Sequence, residues 1–552
     1  MTRHDETSRR ATMASKAAPG VFAAAGLIAV VTLAARVFGF GRWLVFSQSV
    51  GATCVGSVYQ AANQLPNVIF EVAAGGALAA VAVPIIAGQL ARDAQDEAAQ
   101  TASAMLSWAL AVLAPLSILM AAAARPLSTL LVDRQWCSGS TDLMAAMLVV
   151  FAPQIALYGV GIVLAGVLQA HRRFLAAAAA PLLSSVVVMA TYLLYAAMAQ
   201  GRGDDLTRLP VQATTVLAAG TTLGVVALSL PLLIPVHRAG IRLHLTLAFP
   251  PGVARRARAL AGAGLLALVA QQVAVLVVLW VSQHRGGPGT LNVYTYVQAV
   301  YLLPYAVLAV PIATAAFPAL ATGMNQSSVE RAQQTLSSSA RAITVATCAG
   351  AAVLFAAAPP IGAFFSALDA GRHSPAGQEA LAALPAALSA FAPGLVGFGL
   401  LALFTRALYA RGRPGVAGGA AALGWLIAAA VPLALLRGDA GPQNTLQSLG
   451  LASSLGMTVS AVVLLVAVHR AWGPHIGNGL VRSALVALGS GALSAAVGRG
   501  IAGNLHPLGL ATAATVTVLV AIAVLTLYAA SIWIGDRESA RLAGAQLRRR
   551  AR

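Results

Sequence analysis

Charged side chains are scarce in this sequence. Only 9% of its 552 residues are Asp, Glu, Lys or Arg, whereas 59% are hydrophobic. A soluble domain carries about a quarter of its residues as charged side chains, so the composition excludes a soluble globular protein. Long uncharged stretches recur along the whole chain, which indicates a polytopic membrane protein. The alternation of apolar and polar residues typical of a membrane β-barrel is absent, so the predicted fold class is all-α.

Lysine and cysteine are also scarce, and each scarcity excludes a class of chemistry. Lys16 is the only lysine, so the phosphate-binding loop G-x-x-x-x-G-K-[ST] cannot be present. Cys54, Cys137 and Cys348 are scattered and form no C-x-x-C pair, so we expect neither a disulfide framework nor a zinc site. We therefore expect no catalytic residues, no metal and no cofactor. The energy for any transport would come from a gradient of a coupling cation, from the membrane potential or from the substrate's own gradient.

Apolar runs of about 20 residues, the length that crosses a bilayer as a helix, occur about fourteen times. Their approximate limits are 21–50, 57–90, 101–124, 143–170, 175–200, 213–235, 256–283, 290–322, 342–366, 381–410, 414–436, 446–468, 483–503 and 508–534. Lys and Arg concentrate in the segments on one side of these spans, which predicts that this side is cytoplasmic. The chain is thus predicted to lie in the cytoplasmic membrane with both termini in the cytoplasm.

The formal net charge of +19 does not indicate binding to nucleic acid, because the predicted orientation accounts for it. The most cationic cytoplasmic segments are 237–258 and 537–552. Basic segments beside a membrane attract anionic lipids, so we expect anionic headgroups as their partners.

An internal repeat with a spacing of about 240 residues divides the chain into two lobes. FAPQIALYGVGIVLAGVLQAHRRF (151–174) aligns without gaps on FAPGLVGFGLLALFTRALYARGRP (391–414), and QAANQLP (60–66) matches QAVYLLP (298–304). Six predicted spans separate each pair, so the lobes are related by an axis along the membrane normal and enclose a central cavity. The predicted organisation is a cytoplasmic tail (1–20), an N-lobe (21–236), a C-lobe core (237–470), two final helices (471–535) and a basic cytoplasmic tail (536–552).

Two arginines lie within the first apolar run, in AARVFGFGRWLVFSQSVGA (34–52). Arg36 and Arg42 have no acidic neighbour along the chain, and each would cost about 3 kcal/mol if it faced lipid. Snorkelling to an interface is the alternative, but Arg36 is too deep in the run to reach the cytoplasmic face. We expect both side chains to line a cavity, where their guanidinium groups would bind a pyrophosphate.

Other polar residues and helix breakers within the spans are further candidates. Glu71 is the only carboxylate in a predicted span. It could form a salt bridge with an arginine or carry a proton or cation, and the sequence leaves both roles open. The other cavity or coupling candidates are Asn63, Gln271, Gln272 and Gln298, and the hinge candidates are Gly39, Gly41, Pro66, Gly75, Gly76 and Pro304.

Several motifs resemble the MurJ/MviN family of lipid II flippases, in the multidrug/oligosaccharidyl-lipid/polysaccharide exporter superfamily. They are ARVFGFGRWLVFSQSVGA, NQLPNVIFEVAAGGALAAVAVPIIA, VLQAHRRFLAAAAAPLLSS, LPYAVLAVPIATAAFPALA and RALYARGRPGVAG. The resemblance implies fourteen helices in two lobes around a cationic cavity. It implies flipping of undecaprenyl-pyrophosphate-linked disaccharide-pentapeptide to the outer leaflet. It also places the family's first-helix arginines on Arg36 and Arg42, and a groove for the lipid tail at 483–503 and 508–534.

The chain departs from the family pattern at three places. Ser57 stands where many members have an acidic residue, Phe70 and Glu71 where many have arginines, and Gln298 and Ala299 where many have an acidic–arginine pair. The E-x-x-x-G-G version of the second motif resembles the actinobacterial branch. Two other functions stay open: export of another lipid-linked glycan or a drug-like cation, and a non-transporting scaffold for cell-wall enzymes. Cell-wall synthases are candidate partners in either case.

Overall fold

The computed structural model describes residues 31, 34–133, 135–321, 326–473, 479–505 and 509–535, and these contain helices but no β-strand. The first half comprises α1 (34–49), α2 (Cys54–Phe70), a π-helical segment (Glu71–Gly75), α3 (Gly76–Leu90), α4 (Gln95–Ala122), α5 (Ala124–Leu131), α6 (Ser140–Phe151), α7 (Gln154–Ala170), α8 (Phe174–Ala199), α9 (Val211–Ser229), a 3-10 turn (Leu230–Leu232) and α10 (Leu233–Arg238). The second half comprises α11 (Val253–Arg285), α12 (Thr290–Pro304), a second π-helical segment (Tyr305–Ala309), α13 (Val310–Ala321), α14 (Gln326–Ala356), α15 (Ala358–Leu368), a 3-10 turn (Ala370–His373), α16 (Pro375–Ala382), α17 (Leu384–Phe391), α18 (Gly394–Ala410), α19 (Pro414–Leu435), α20 (Gly441–Trp472), α21 (Leu480–Gly503) and α22 (Leu510–Gly535).

The predicted all-α, polytopic class is confirmed. In the described part of the chain, 11 helices are long and apolar enough to cross a membrane, or 12 if the pair Pro375–Phe391 and Gly394–Ala410, bent by 50°, forms one span. The predicted span 21–50 lies largely outside the described residues. The predicted span 57–90 corresponds to one continuous helical stretch from Cys54 to Leu90, in which a π-helical segment lies between α2 and α3. The count of fourteen therefore stays a prediction.

The predicted span 342–366 differs from the observed helices. α14 begins at Gln326, before the apolar run, because its first turns are polar helix formers that extend beyond the hydrophobic stretch. The helix is then interrupted after Ala356, and α15 begins with prolines in its first turn. Proline cannot donate the backbone hydrogen bond of a helix interior, so it is favoured at such a new helix start.

The two lobes share one pattern of helix breaks, in agreement with the internal repeat. α6 ends at Phe151 and α7 begins at Gln154, while α17 ends at Phe391 and α18 begins at Gly394. Both breaks fall at the Ala-Pro of the repeated FAP motif, where the proline ring opposes continuation of the helix. The repeated sequence thus places a helix break at the same position in each lobe.

A π-helical segment follows the proline of the second repeated motif in each lobe. Pro66 lies inside α2 before Glu71–Gly75, and Pro304 ends α12 directly before Tyr305–Ala309. Such wide turns are often found at functional sites. Four hinge candidates therefore lie within, beside or one helical turn before a π-helical segment, whereas the other two lie within the uninterrupted helix α1. Hinge motion itself stays a prediction. The first group is Pro66, Gly75, Gly76 and Pro304, and the second is Gly39 and Gly41.

Cys54 and Cys137 form a disulfide, so the expectation of no disulfide is wrong. Their Cα atoms lie 6.1 Å apart although 83 positions separate them in the sequence. No spacing motif marks such a pair, because the two residues meet only when α2 packs beside α6. The bond joins the start of α2 to the α5–α6 loop, on the side predicted to face away from the reducing cytoplasm.

An extended segment, 239–252, connects the lobes and lies along α4. Ser103 Oγ accepts a hydrogen bond from His244 N at 3.2 Å, and Ser107 Oγ accepts one from Thr246 N at 3.1 Å. Leu245, between these two residues, is 85% exposed. The backbone of this segment is therefore hydrogen-bonded to the N-lobe, whereas the apolar side chain of Leu245 points outward.

Candidate functional site

A cavity of about 540 Å³ lies between the lobes. The N-lobe contributes α2 and the first π-helical segment, and the C-lobe contributes α11, α12 and α18–α20. The polar lining consists of Gln64, Asn67, Glu71, Gln271, Gln272, Tyr294, Gln298, Tyr301 and Ser453. Phe398 and Trp425 add aromatic surface. The cavity is thus lined mainly by uncharged polar groups and aromatic rings.

Four of the predicted cavity residues, Glu71, Gln271, Gln272 and Gln298, come together in this lining. Gln298 Nε2 donates a hydrogen bond to the Tyr294 hydroxyl at 2.8 Å, which fixes both side chains at the cavity wall. The roles of these residues in binding or coupling stay predictions.

Asn63 does not line the cavity. Its side chain is half-buried, and its Oδ1 has no hydrogen-bond partner among the described residues. Gln64 and Asn67, which the sequence analysis did not select, face the cavity from the same helix. Helical periodicity in an apolar run does not reveal which face meets the other lobe, so no pattern in the sequence distinguishes Gln64 and Asn67 from Asn63.

Glu71 begins the first π-helical segment and is half-buried. The described residues contain two ion pairs within 4.0 Å, Arg125–Asp142 and Arg208–Asp205, and neither includes Glu71. A Cβ atom at Gly75 would collide with the Glu71 carboxylate, so this glycine leaves room for the side chain. Of the two roles open from the sequence, the salt bridge therefore finds no partner in the described part of the chain.

Arg36 and Arg42 are on α1 and are not among the residues lining this cavity. Arg36 is exposed, whereas Arg42 is half-buried with its Cζ 5.5 Å from the centroid of the Trp43 ring. Arg42 Nε is buried and has no hydrogen-bond partner among the described residues. Binding of a pyrophosphate by the two arginines stays a prediction.

Asp369 is a buried carboxylate that the sequence analysis missed. It lies between α15 and the following 3-10 turn and is 0% exposed. Oδ2 accepts hydrogen bonds from Ser47 Oγ (2.8 Å) and the Tyr296 hydroxyl (2.7 Å), and Oδ1 accepts them from the backbone N–H of Ala52 and Gly371 (both 2.7 Å). Burial raises the pKa of this carboxyl above its ordinary value, and the four donated hydrogen bonds oppose that rise.

More hydrogen bonds join the lobes at the same end of the bundle, where α1 ends and α2 begins. Ser57 Oγ accepts a bond from Gly289 N at 2.7 Å, and Gln283 Nε2 donates to the Ser57 carbonyl at 3.0 Å. Asn292 Nδ2 donates to the Gly51 carbonyl at 2.5 Å. We call this the outer end, because the predicted orientation places it outside the cytoplasm. The cavity is therefore closed here by direct contact between the lobes.

A second cavity, of about 480 Å³, lies between α14, α18, α20 and α21. Its lining is almost wholly apolar and includes Phe355, Val396, Leu465 and Leu488. α21 is one of the two final helices for which a lipid-tail groove is predicted. The structure thus provides an apolar space beside this helix.

The fold and the central cavity define a two-lobed polytopic membrane protein. A family model described as "Lipid II flippase MurJ" matches residues 46–519, and the chain belongs to this family. It is similar to a "Probable lipid II flippase MurJ" of Rhizobium tropici, with 26% identity over 305 residues, which cover 54% of this chain and 55% of that protein. The match thus spans about half of that curated relative.

Solved structures share the fold. "Lipid II flippase MurJ, inward closed conformation" superposes with a TM-score of 0.70 at 16% identity, covering 92% of this chain and 98% of that chain. An inward-facing "multidrug resistance MATE family transporter of the MOP superfamily" superposes with a TM-score of 0.62 at 15% identity, covering 80% and 97%. Because proteins with different cargoes share this architecture, the cargo must be argued from family and site.

Proposed function

We propose that this protein flips lipid II from the inner to the outer leaflet of the cytoplasmic membrane by alternating access, without ATP hydrolysis. The observation that carries the proposal is a cavity between two repeated lobes in a chain that belongs to the MurJ family. Rocking of one lobe against the other would open such a cavity to each side of the membrane in turn.

The cavity lining is compatible with the uncharged part of the lipid II headgroup. Amide side chains such as Gln64 and Gln272 both donate and accept hydrogen bonds, which suits sugar hydroxyls and peptide groups. Trp425 offers a flat apolar surface for a sugar ring. A site for a drug-like cation would need more negative charge than the single carboxylate, Glu71, in the described lining.

Arg36 and Arg42 are assigned to the pyrophosphate in this proposal. A guanidinium group keeps its charge when buried and matches phosphate oxygens with its planar set of donors. The buried Nε of Arg42, unpaired among the described residues, supports the assignment because an unpaired buried donor costs free energy unless a ligand accepts its hydrogen bond. Opening of the lobes would bring these side chains to the bound headgroup.

The assignment is tested in cells depleted of their own lipid II flippase. The double variant R36A/R42A is expected to lower lipid II delivery to the outer leaflet by roughly a hundredfold or more, the loss of two charged hydrogen-bonding groups, while its membrane level stays normal. R36K/R42K keeps the charge and should retain part of the activity. R406A is the matched control, because Arg406 donates to the Ala402 carbonyl of its own helix.

The outcomes separate the site from the cargo. Full rescue by R36A/R42A would refute the assigned arginines. Failure of the unaltered chain to rescue, although it reaches the membrane, would refute lipid II as the cargo. Loss of rescue by R406A to the same extent would show that any intramembrane arginine is needed for folding.

The remaining parts of the proposal concern the membrane. The apolar cavity beside α21 would take part of the lipid tail, and the basic segments 237–258 and 537–552 would hold anionic headgroups with both termini in the cytoplasm. The tails 1–20 and 536–552 lie outside the described residues. Glu71 is the candidate carrier of a coupling cation, with the membrane potential as the alternative source of energy. Cell-wall synthases stay candidate partners.

A further inference from the structure

The carboxylate of Asp369 connects the two lobes directly. Asp369 and Tyr296 belong to the C-lobe, whereas Ser47 and Ala52 belong to the end of α1 and the connection to α2 in the N-lobe. Two of the four hydrogen bonds to this carboxylate therefore cross the interface, at 2.8 Å from Ser47 Oγ and 2.7 Å from Ala52 N. The other two bonds, from Tyr296 and Gly371, hold the carboxylate in place within its own lobe.

The backbones around Asp369 approach closely enough to exclude side chains. Gly51 has a φ of +69°, and a Cβ atom there would lie 2.6 Å from Asp369 Oδ1 and 2.7 Å from Gly371 N. A Cβ at Gly371 would lie 2.8 Å from the Ala52 carbonyl oxygen, and one at Gly377 would lie 2.7 Å from it. Glycine is needed on both sides of the contact, so the shape of each lobe is fitted to the carboxylate between them.

We propose that Asp369 is the latch of the outer gate: its carboxylate holds the lobes together at the outer end, and its two bonds to Ser47 and Ala52 must break before the cavity can open there. A charged acceptor out of water binds its donors strongly and is costly to leave unpaired. When the gate opens, water can replace the lost partners. Asp369 thereby sets the ratio of the closed to the open state. The inference rests on the alternating access proposed above and not on the identity of the cargo.

The latch is tested by measuring the distance between spin labels across the outer end of the full chain. Labels are attached at T207C in the N-lobe and Q443C in the C-lobe, both exposed, in a C348A background that leaves the Cys54–Cys137 disulfide intact. Electron–electron distance measurements in lipid nanodiscs give the populations of the closed and open states. D369A is expected to raise the open-to-closed ratio roughly tenfold or more, because both interlobe bonds are lost.

Two milder variants make a matched pair, since each removes one hydroxyl donor from the same oxygen, Oδ2. S47A removes a bond between the lobes and is expected to raise the open-to-closed ratio about three- to tenfold. Y296F removes a bond within the C-lobe and should change the ratio less than about twofold. If D369A fails to fold, this pair decides the question alone.

The proposal is overturned if D369A leaves the distances unchanged, or if S47A and Y296F shift them equally. The measurement does not involve lipid II. If the distances change as expected but the chain does not flip lipid II, the latch proposal stands and the proposed cargo is refuted.

Discussion

Glu71 is the one charged side chain among the described residues that line the central cavity. It stands where α2 gives way to the π-helical segment, and Gly75 leaves the space that its carboxylate occupies. A carboxylate at membrane depth that faces a cavity and has no ion-pair partner among the described residues is placed to bind a proton or a cation. At the residue scale, Glu71 is therefore the candidate group through which an ion gradient would act on the lobes.

E71Q tests this role, because it keeps the shape of the side chain and removes its charge. Flipping of lipid II in proteoliposomes is expected to lose its response to an imposed ion gradient, and to slow by roughly tenfold if one ion is coupled per cycle. The thermal stability should change little. The matched control is D142N, which removes a carboxylate from an exposed ion pair away from the cavity. An E71Q variant that still responds fully to the gradient would rule out Glu71 as the coupling group.

Glu71 and Asp369 also show which site residues the sequence can reveal. Four residues of the cavity lining interrupt apolar runs, where a polar group is costly, so their presence alone predicts a special role. They are Glu71, Gln271, Gln272 and Gln298. Asp369 follows an apolar run in a polar connection, where an aspartate is common. Its burial results from contacts with residues that are more than 300 positions away, and no local pattern encodes such contacts.

At the scale of helices, glycine brings the C-lobe helices into backbone contact. A Cβ atom at Gly397 of α18 would lie 2.6 Å from the Met457 carbonyl oxygen and 2.8 Å from Thr458 N, both on α20. A Cβ at Gly424 of α19 would lie 2.7 Å from the Gly456 carbonyl oxygen, also on α20. Without a hydrophobic effect between helices in lipid, this close packing is a main source of helix association.

G397A is expected to destabilise the C-lobe by about 1–3 kcal/mol, because the backbone of α20 cannot move aside as a flexible side chain could. The matched control is G419A in α19, where an added Cβ meets nothing within 4 Å. Alanine is a better helix former than glycine, so G419A should be neutral or stabilising by up to about 1 kcal/mol. Thermal unfolding in detergent measures both variants, and equal losses would contradict the packing argument.

The apolar runs predict where helices lie but not how they are interrupted. The runs at 143–170 and 381–410 each contain a proline-associated break, and the run at 57–90 contains a π-helical segment. A hydrophobic pattern reports burial in lipid and does not distinguish an α turn from a wider one. The Cys54–Cys137 disulfide was missed for a related reason, because it depends on how α2 and the α5–α6 loop pack.

At the scale of the whole molecule, two features lie at opposite ends of the helix bundle in the predicted orientation. One is the chain segment that connects the lobes, and the other is the set of contacts that closes the cavity. The extended segment 239–252 is bound along the start of α4, on the predicted cytoplasmic side. The Asp369 contacts are at the outer end. A rocking motion about such an arrangement would separate the lobes at one end while the chain connection restrains the other.

The orientation itself is testable with a membrane-impermeant maleimide. In a C348A background, T207C in the α8–α9 loop is expected to react in intact cells, whereas R413C between α18 and α19 should react only after the cells are permeabilised. Both positions are exposed, so a difference in labelling reports the side of the membrane and not burial. The positive-inside distribution of Lys and Arg is the physical reason for the expectation. The reverse labelling pattern would contradict the predicted orientation and the name of the outer end.

The bonds of Asp369 also bear on how the protein is made. Ser47 and Asp369 are 322 positions apart, and Ala52 and Asp369 are 317 apart. Translation proceeds from the N-terminus. The whole N-lobe is therefore inserted into the membrane before Asp369, which will later contact it, has left the ribosome. During that interval Ser47 Oγ and Ala52 N lack the Asp369 carboxylate as their acceptor. The two lobes must therefore associate late in biogenesis. A chain truncated before Asp369 would leave the interlobe donors Ser47 and Ala52 without this acceptor and would be a substrate for quality-control proteases.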